Sequence, residues 1–144
     1  MAVTGGFLGF ETLLSQAQPE VNLTVLSGDI GVEGDSTDNV YHVVSIPASV
    51  DTAVLSGLHI RYGQADAPEA SDRVGAGVWN LGNATIKHSV ISNCVSVDAG
   101  SAIYSSGGTA VLRLAMISLI DNSDPFLVNK SGSTIRWIGD GLLR

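Results

Sequence analysis

This sequence has little charge, a single cysteine and no long apolar run, and each shortage excludes something. Only 15% of the residues are charged, and seven basic against fourteen acidic side chains leave a net charge of -7. A surface of that sign repels phosphate backbones and anionic headgroups, so a nucleic-acid partner is excluded. Cys94 has no second cysteine to pair with. It ends an apolar segment, where it reads as a small buried hydrophobe, the alternative being a reactive thiol. The longest apolar stretch, residues 111–120, is broken by Arg113 and Ser118 and falls short of the roughly 18 residues of a membrane span, so no membrane insertion is expected. The first seven residues show no basic segment leading into an apolar one, hence no signal peptide. Either the protein stays inside the cell or the chain is a piece of a longer exported polypeptide. No glycine-rich phosphate loop opens a helix, which leaves nucleotide binding without support.

What is present is glycine and aliphatic residues in a repeating order. Seventeen glycines, 44% hydrophobic content and a mean hydropathy of +0.29 imply one domain, residues 1–144, with a real core made of short strands and many turns. One unit runs Gly-Ala-Gly-Val-Trp-Asn (75–80), a Gly-Asn turn, then an aliphatic segment from 84 to 93. A second runs Gly-Ser-Ala-Ile-Tyr-Ser (100–105), a Gly-Gly turn at 107–108, then 111–122. Neither unit can bury its apolar face alone, so the units must stack. The tetrapeptide Val-Leu-Ser-Gly occurs at 25–28 and again at 54–57. Alignment on it sets Leu26, Leu55, Ile86 and Leu114 at equivalent sites, with Leu58, Ser89 and Ile117 together and Ile60, Ile91 and Leu119 together. Trp79 and Tyr104 also coincide, which suggests an aromatic pair on one face.

Repeats of about 28 residues built from strands and turns predict an all-β fold, a right-handed parallel β-helix (solenoid) of about five coils. Residues 1–21 read as an N-terminal turn and cap segment whose apolar side chains cover one end, and 22–144 as the coils. Residues 111–120 are helix-compatible by propensity, but their alignment onto 84–92, rich in β-branched residues, predicts a strand. The longest loop, 63–74, is a polar insertion. The final coil leaves its strand edges open, and open edges recruit other chains, so homo-oligomers are expected.

Several motifs resemble a known group. Gly-Gly-Phe-x-Gly-x-Glu-Thr (5–12) followed by Leu-Ser-Gln, Thr-Val-Leu-Ser-Gly-Asp-Ile-Gly (24–31), Tyr-His-Val-Val (41–44) and the Gly-x-Gly-Val-Trp-Asn and Ile-Ser-Asn units are similar to the secreted bacterial β-helix proteins of the pectin-lyase-like, choice-of-anchor type. The later repeats also resemble those of the chlamydial polymorphic outer-membrane proteins. The resemblance implies a right-handed β-helix displayed outside the cell as part of a much longer polypeptide. The leader and C-terminal anchor of that pattern are missing here, and its all-glycine corner becomes Gly-Ala-Gly and Gly-Ser-Ala.

Chemistry is sparser. A β-helix lyase or hydrolase sets carboxylates from successive coils on one face, with a basic residue beside them in a lyase. Here the acids lie in loops, and in the alignment no basic residue falls on another. Asp29, Glu33, Asp35 and Asp38 crowd one loop, which reads either as solvated turn carboxylates or as oxygen ligands for calcium, the one cofactor the sequence suggests. His42, His59 and His88 share no ladder position, which argues against a histidine metal site. The expectation is a non-enzymatic structural or adhesive module with a cell-surface partner. The alternative is a carbohydrate-binding or polysaccharide-processing β-helix with Trp79 and Tyr104 as a sugar platform for a glycan partner.

Overall fold

A computed structural model describes residues 1–107, 110–130, 132–139 and 142–143. Gly108 and Ser131, which the sequence places in turns, lie outside the described residues. Among those described, the chain forms fourteen short strands and three single turns of 3-10 helix. The strands are β1 (Ala2–Thr4), β2 (Thr24–Ser27), β3 (Val44–Ile46), β4 (Ala53–Ser56), β5 (Leu58–Arg61), β6 (Gln64–Ala65) and β7 (Val78–Asn80). They continue as β8 (Ala84–Ser92), β9 (Val95–Ser96), β10 (Ile103–Ser105), β11 (Val111–Ile120), β12 (Leu127–Asn129), β13 (Thr134–Trp137) and β14 (Leu142–Leu143). The fold is therefore all-β, and every strand pair is parallel. Residues 111–120 are strand throughout.

The first sheet orders its strands β1-β4-β8-β11-β13, with β2 and β5 extending it beside β8 and β14 beside β11. The second runs β3-β7-β10-β12, and the third pairs β6 with β9. Alternation decides which side chains enter the core. Along β11, Leu112, Leu114, Ile117 and Leu119 are buried while Arg113, Ala115 and Met116 are not. Parallel pairing puts like on like, so inward side chains of successive strands fall in columns, buried in the inner strands and more exposed at the outer ones. One inward column runs Val3, Leu55, Ile86, Leu114, Trp137. A second runs Leu26, Ile60, Ile91, Leu119.

That register corrects the alignment drawn from the duplicated tetrapeptide. Leu26 pairs with Ile60, and Val3 takes the place beside Leu55. The two copies of Val-Leu-Ser-Gly end on glycines with different tasks. Gly57 has φ +68° and turns the chain between β4 and β5. His88 (φ 49°) and Met116 (φ 48°) make the same turn within β8 and β11. Gly28 does not share the left-handed conformation; it sits one corner later, where a Cβ would lie 2.4 Å from the Tyr62 carbonyl oxygen. Tyr62, Asn93 and Asp121, all left-handed, mark that second corner.

The N-terminal segment begins as a strand. Residues 1–4 belong to the first sheet, and the chain then leaves at the first corner and returns at Thr24. This excursion is held by its own polar groups: Glu11 accepts from the N–H groups of Leu8, Gly9 and Phe10, and the Gln16 side chain from those of Thr12 and Leu13. Its apolar side chains Leu8, Phe10, Leu13 and Leu14 are exposed and cover no core. Arg113 pairs with Arg136 across β11 and β13, so one basic residue does fall on another.

Candidate functional site

The second sheet carries the two aromatic residues. Ser45, Trp79, Tyr104 and Val128 occupy one outward register row, flanked by the inward Val44, Val78, Ile103 and Leu127. The structure thus brings Trp79 and Tyr104 side by side, both half-buried. The ring stacked on Trp79, however, is His42, with centroids 5.0 Å apart and planes 22° from parallel. His42 Nδ1 lies 3.2 Å from the Gly75 carbonyl oxygen, and Nε2 lies 3.4 Å from Asp72 Oδ1 without hydrogen-bond alignment. Asp72 belongs to the insertion at 63–74, which is further tied down by the Arg73–Asp98 pair, with both contacts at 3.0 Å. Each partner of that exposed pair stabilises the charged form of the other, lowering the Asp98 and raising the Arg73 ionisation. His42 therefore takes up one face of the Trp79 indole, and Asp72 of the insertion lies against His42.

The four loop carboxylates do not converge. Asp29 accepts from the Gly34 N–H, Asp38 from the Val32 N–H at 2.8 Å, and Asp35 from both the Thr37 hydroxyl at 2.6 Å and the Thr37 N–H. The Thr37 hydroxyl, then its N–H, hold Asp35 below the usual carboxylate range. Glu33 lines the cleft beneath the loop. Among the described residues, no three His, Cys, Asp or Glu side chains gather into a set that could hold a metal ion. The histidines stay apart in register: His59 pairs with Val25 and Val90, while His88 sits at the first corner. His59 and His88 do line one shallow groove of about 300 Å³ under the N-terminal excursion, with Glu20, Ser89 and Met116. Burial, and after it the Arg61 guanidinium, keep the His59 imidazole below its ordinary ionisation range. Cys94 is fully buried, its Sγ facing the Ser92 carbonyl oxygen, and burial pushes the thiol up to about 11. A thiol so raised is a core side chain, not a nucleophile.

Sequence reasoning missed a cleft of about 610 Å³ between the acidic loop and the second corner. Its chemistry comes from strand alternation. Arg61 stands outward at the end of β5 in the row Ser27, Arg61, Ser92, Ile120, where the small serines leave room for it. The guanidinium carbon lies 4.9 Å above the Tyr62 ring, and its Nε is buried with no hydrogen-bond partner. Asn39 Oδ1, in the same cleft, is likewise buried and unpaired. Gln64, Asn93, Asp29 and Glu33 also line it. Buried donors and acceptors left without partners cost about 1–3 kcal/mol each, a cost that water or a polar ligand entering the cleft relieves. The period-2 pattern Leu58-His59-Ile60-Arg61 announces an outward Arg61; only the fold brings Asn39 to the same cleft.

Compared with known proteins, the chain matches no family model, no curated protein and no solved structure.

Proposed function

We propose that the three parallel sheets are the faces of a right-handed β-helix of about five turns, and that the protein is a structural or adhesive module rather than an enzyme. Strand order carries the winding: in the path through each sheet the strands follow one another in chain order, the chain alternates between the first and second sheets, and the passes that begin at β4 and β8 also visit the third. Right-handedness follows from the general chirality of parallel crossovers. The reading as a module rather than a catalyst draws on the acids, which sit in loops and bond their own backbone instead of meeting across a face. Display outside the cell rests on the motif resemblance alone.

The cleft favours a second reading, carbohydrate binding, because unpaired polar atoms beside an aromatic ring match a polyhydroxylated ligand. It moves the expected sugar site from Trp79 and Tyr104 to Arg61, Tyr62 and Asn39. Lyase and hydrolase screens on acidic polysaccharides should be blank, and turnover of any of them overturns the non-enzymatic reading. On a glycan array the second reading requires binding that Arg61→Ala abolishes and Trp79→Ala leaves intact. An array with no signal rejects it.

A further inference from the structure

Charge is not spread evenly over the molecule. The strands of the first sheet contain no aspartate or glutamate, although the chain has fourteen, and they carry Arg61, Lys87, Arg113 and Arg136, four of its seven lysines and arginines. Alternation turns these side chains away from the core. Arg113 stands between the buried Leu112 and Leu114, Lys87 follows the buried Ile86, and Arg136 is exposed.

The register then gathers three of them. Arg113 and Arg136 are direct partners on β11 and β13, while Lys87 on β8, opposite Ala115, lies diagonal to Arg113. Parallel strands stand about 4.8 Å apart, so two guanidinium groups share one row and an ammonium group lies one strand behind. Like charges so placed repel. Among the described residues no carboxylate relieves them, because acids touch basic side chains only at His42–Asp72 and Arg73–Asp98. Acids border the face instead: Asp51 precedes β4, and Glu20 lines the groove that Lys87 also lines. Arg61 lies beyond the first corner, over Tyr62, and belongs to the cleft.

We propose that the outward face of β8, β11 and β13 is the adhesive surface of the module and that its partner is a sulfated polysaccharide. A sulfate ester presents three oxygens on a tetrahedral centre and can lie across two guanidinium groups on neighbouring strands, whereas the two coplanar oxygens of a carboxylate match the fork of one. The cations follow the stacking direction, one on each of three successive strands, which suits a chain bearing sulfates at intervals rather than a single ion. A single glycan chain can follow so narrow a strip; a nucleic-acid duplex broad enough to reach its acidic borders is repelled. This deepens, and rests on, the reading of the protein as an adhesive module. That reading fails if acidic polysaccharides are turned over, and this one if sulfate is not bound.

Dextran, carboxymethyl-dextran and dextran sulfate share a backbone and differ in the anion, so surface plasmon resonance of the full chain on all three at low salt tests it. Dextran sulfate should bind and dextran should not, while carboxymethyl-dextran of equal charge density should bind about tenfold more weakly or less. Affinity for dextran sulfate should fall with salt, as counterion release requires. Arg113→Gln and Arg136→Gln should each weaken it by about tenfold or more. Lys130→Gln and Arg61→Ala, which remove one cation outside the trio, should leave it within about twofold. No binding of dextran sulfate overturns the proposal, and so does equally tight binding of carboxymethyl-dextran or duplex DNA. A loss in Lys130→Gln as large as that in Arg136→Gln would mean that net charge alone is read, and overturns the face. Arg136→Gln changes an exposed side chain and removes a repulsion, so it decides the matter even where Arg113→Gln does not fold.

Discussion

A hydroxyl inside an aliphatic column destabilises a fold unless it is bonded, and Ser89 is bonded twice. At the first corner the ladder breaks, and the Ser89 hydroxyl accepts from the Leu58 N–H at 3.2 Å and donates to the Lys87 carbonyl oxygen at 2.8 Å. Ser89→Ala should therefore cost about 1–3 kcal/mol, read as a lower denaturant midpoint, although it removes only one atom from a residue 3% exposed. The same corner forces a left-handed backbone on Met116, whose side chain is 53% exposed. Left-handed geometry costs a non-glycine residue roughly 1–2 kcal/mol, so Met116→Gly should raise stability by up to about 1 kcal/mol in the same assay. His59 is held neutral by burial and by Arg61, its folded-state ionisation lying below the ordinary value near 6.5. The unfolded chain then binds the extra proton first, and stability should fall as pH drops from about 6.5 toward that lowered value. His59→Gln should flatten this part of the pH profile of the melting temperature.

At the scale of elements, the acidic loop folds around its own N–H groups before it meets anything else. Millimolar calcium should accordingly leave the thermal midpoint unchanged; a rise would show that Asp29, Glu33, Asp35 and Asp38 rearrange around the ion. The strands themselves were legible in the sequence because alternation needs only neighbouring residues, and the pairing of Trp79 with Tyr104, or of Ile86 with Leu114, follows from repeats of nearly equal length. Leu26 was not legible for a physical reason. The chain leaves the sheet between β1 and β2, so nineteen residues at 5–23 separate two halves of one pass, and a sequence match has no means of seeing a gap that the backbone closes. The cleft was hidden similarly. Arg61 and Asn39 are brought together by a loop that returns to the sheet, and neither carries a spacing signal of its own.

For the whole molecule, stability depends on rows of like residues touching across parallel strands, and everything argued about faces and corners inherits that register. The duplicated tetrapeptide offers the one competing register, with Val25 beside Val54 instead of beside His59. Parallel neighbours stand close enough for a disulfide, whose Cα atoms sit roughly 4.4–6.8 Å apart. Oxidation of the double variant Val25→Cys/His59→Cys, followed by non-reducing electrophoresis and peptide mapping, should give an internal cross-link, while Val25→Cys/Val54→Cys stays reduced. The reverse outcome would contradict the observed stacking at its root.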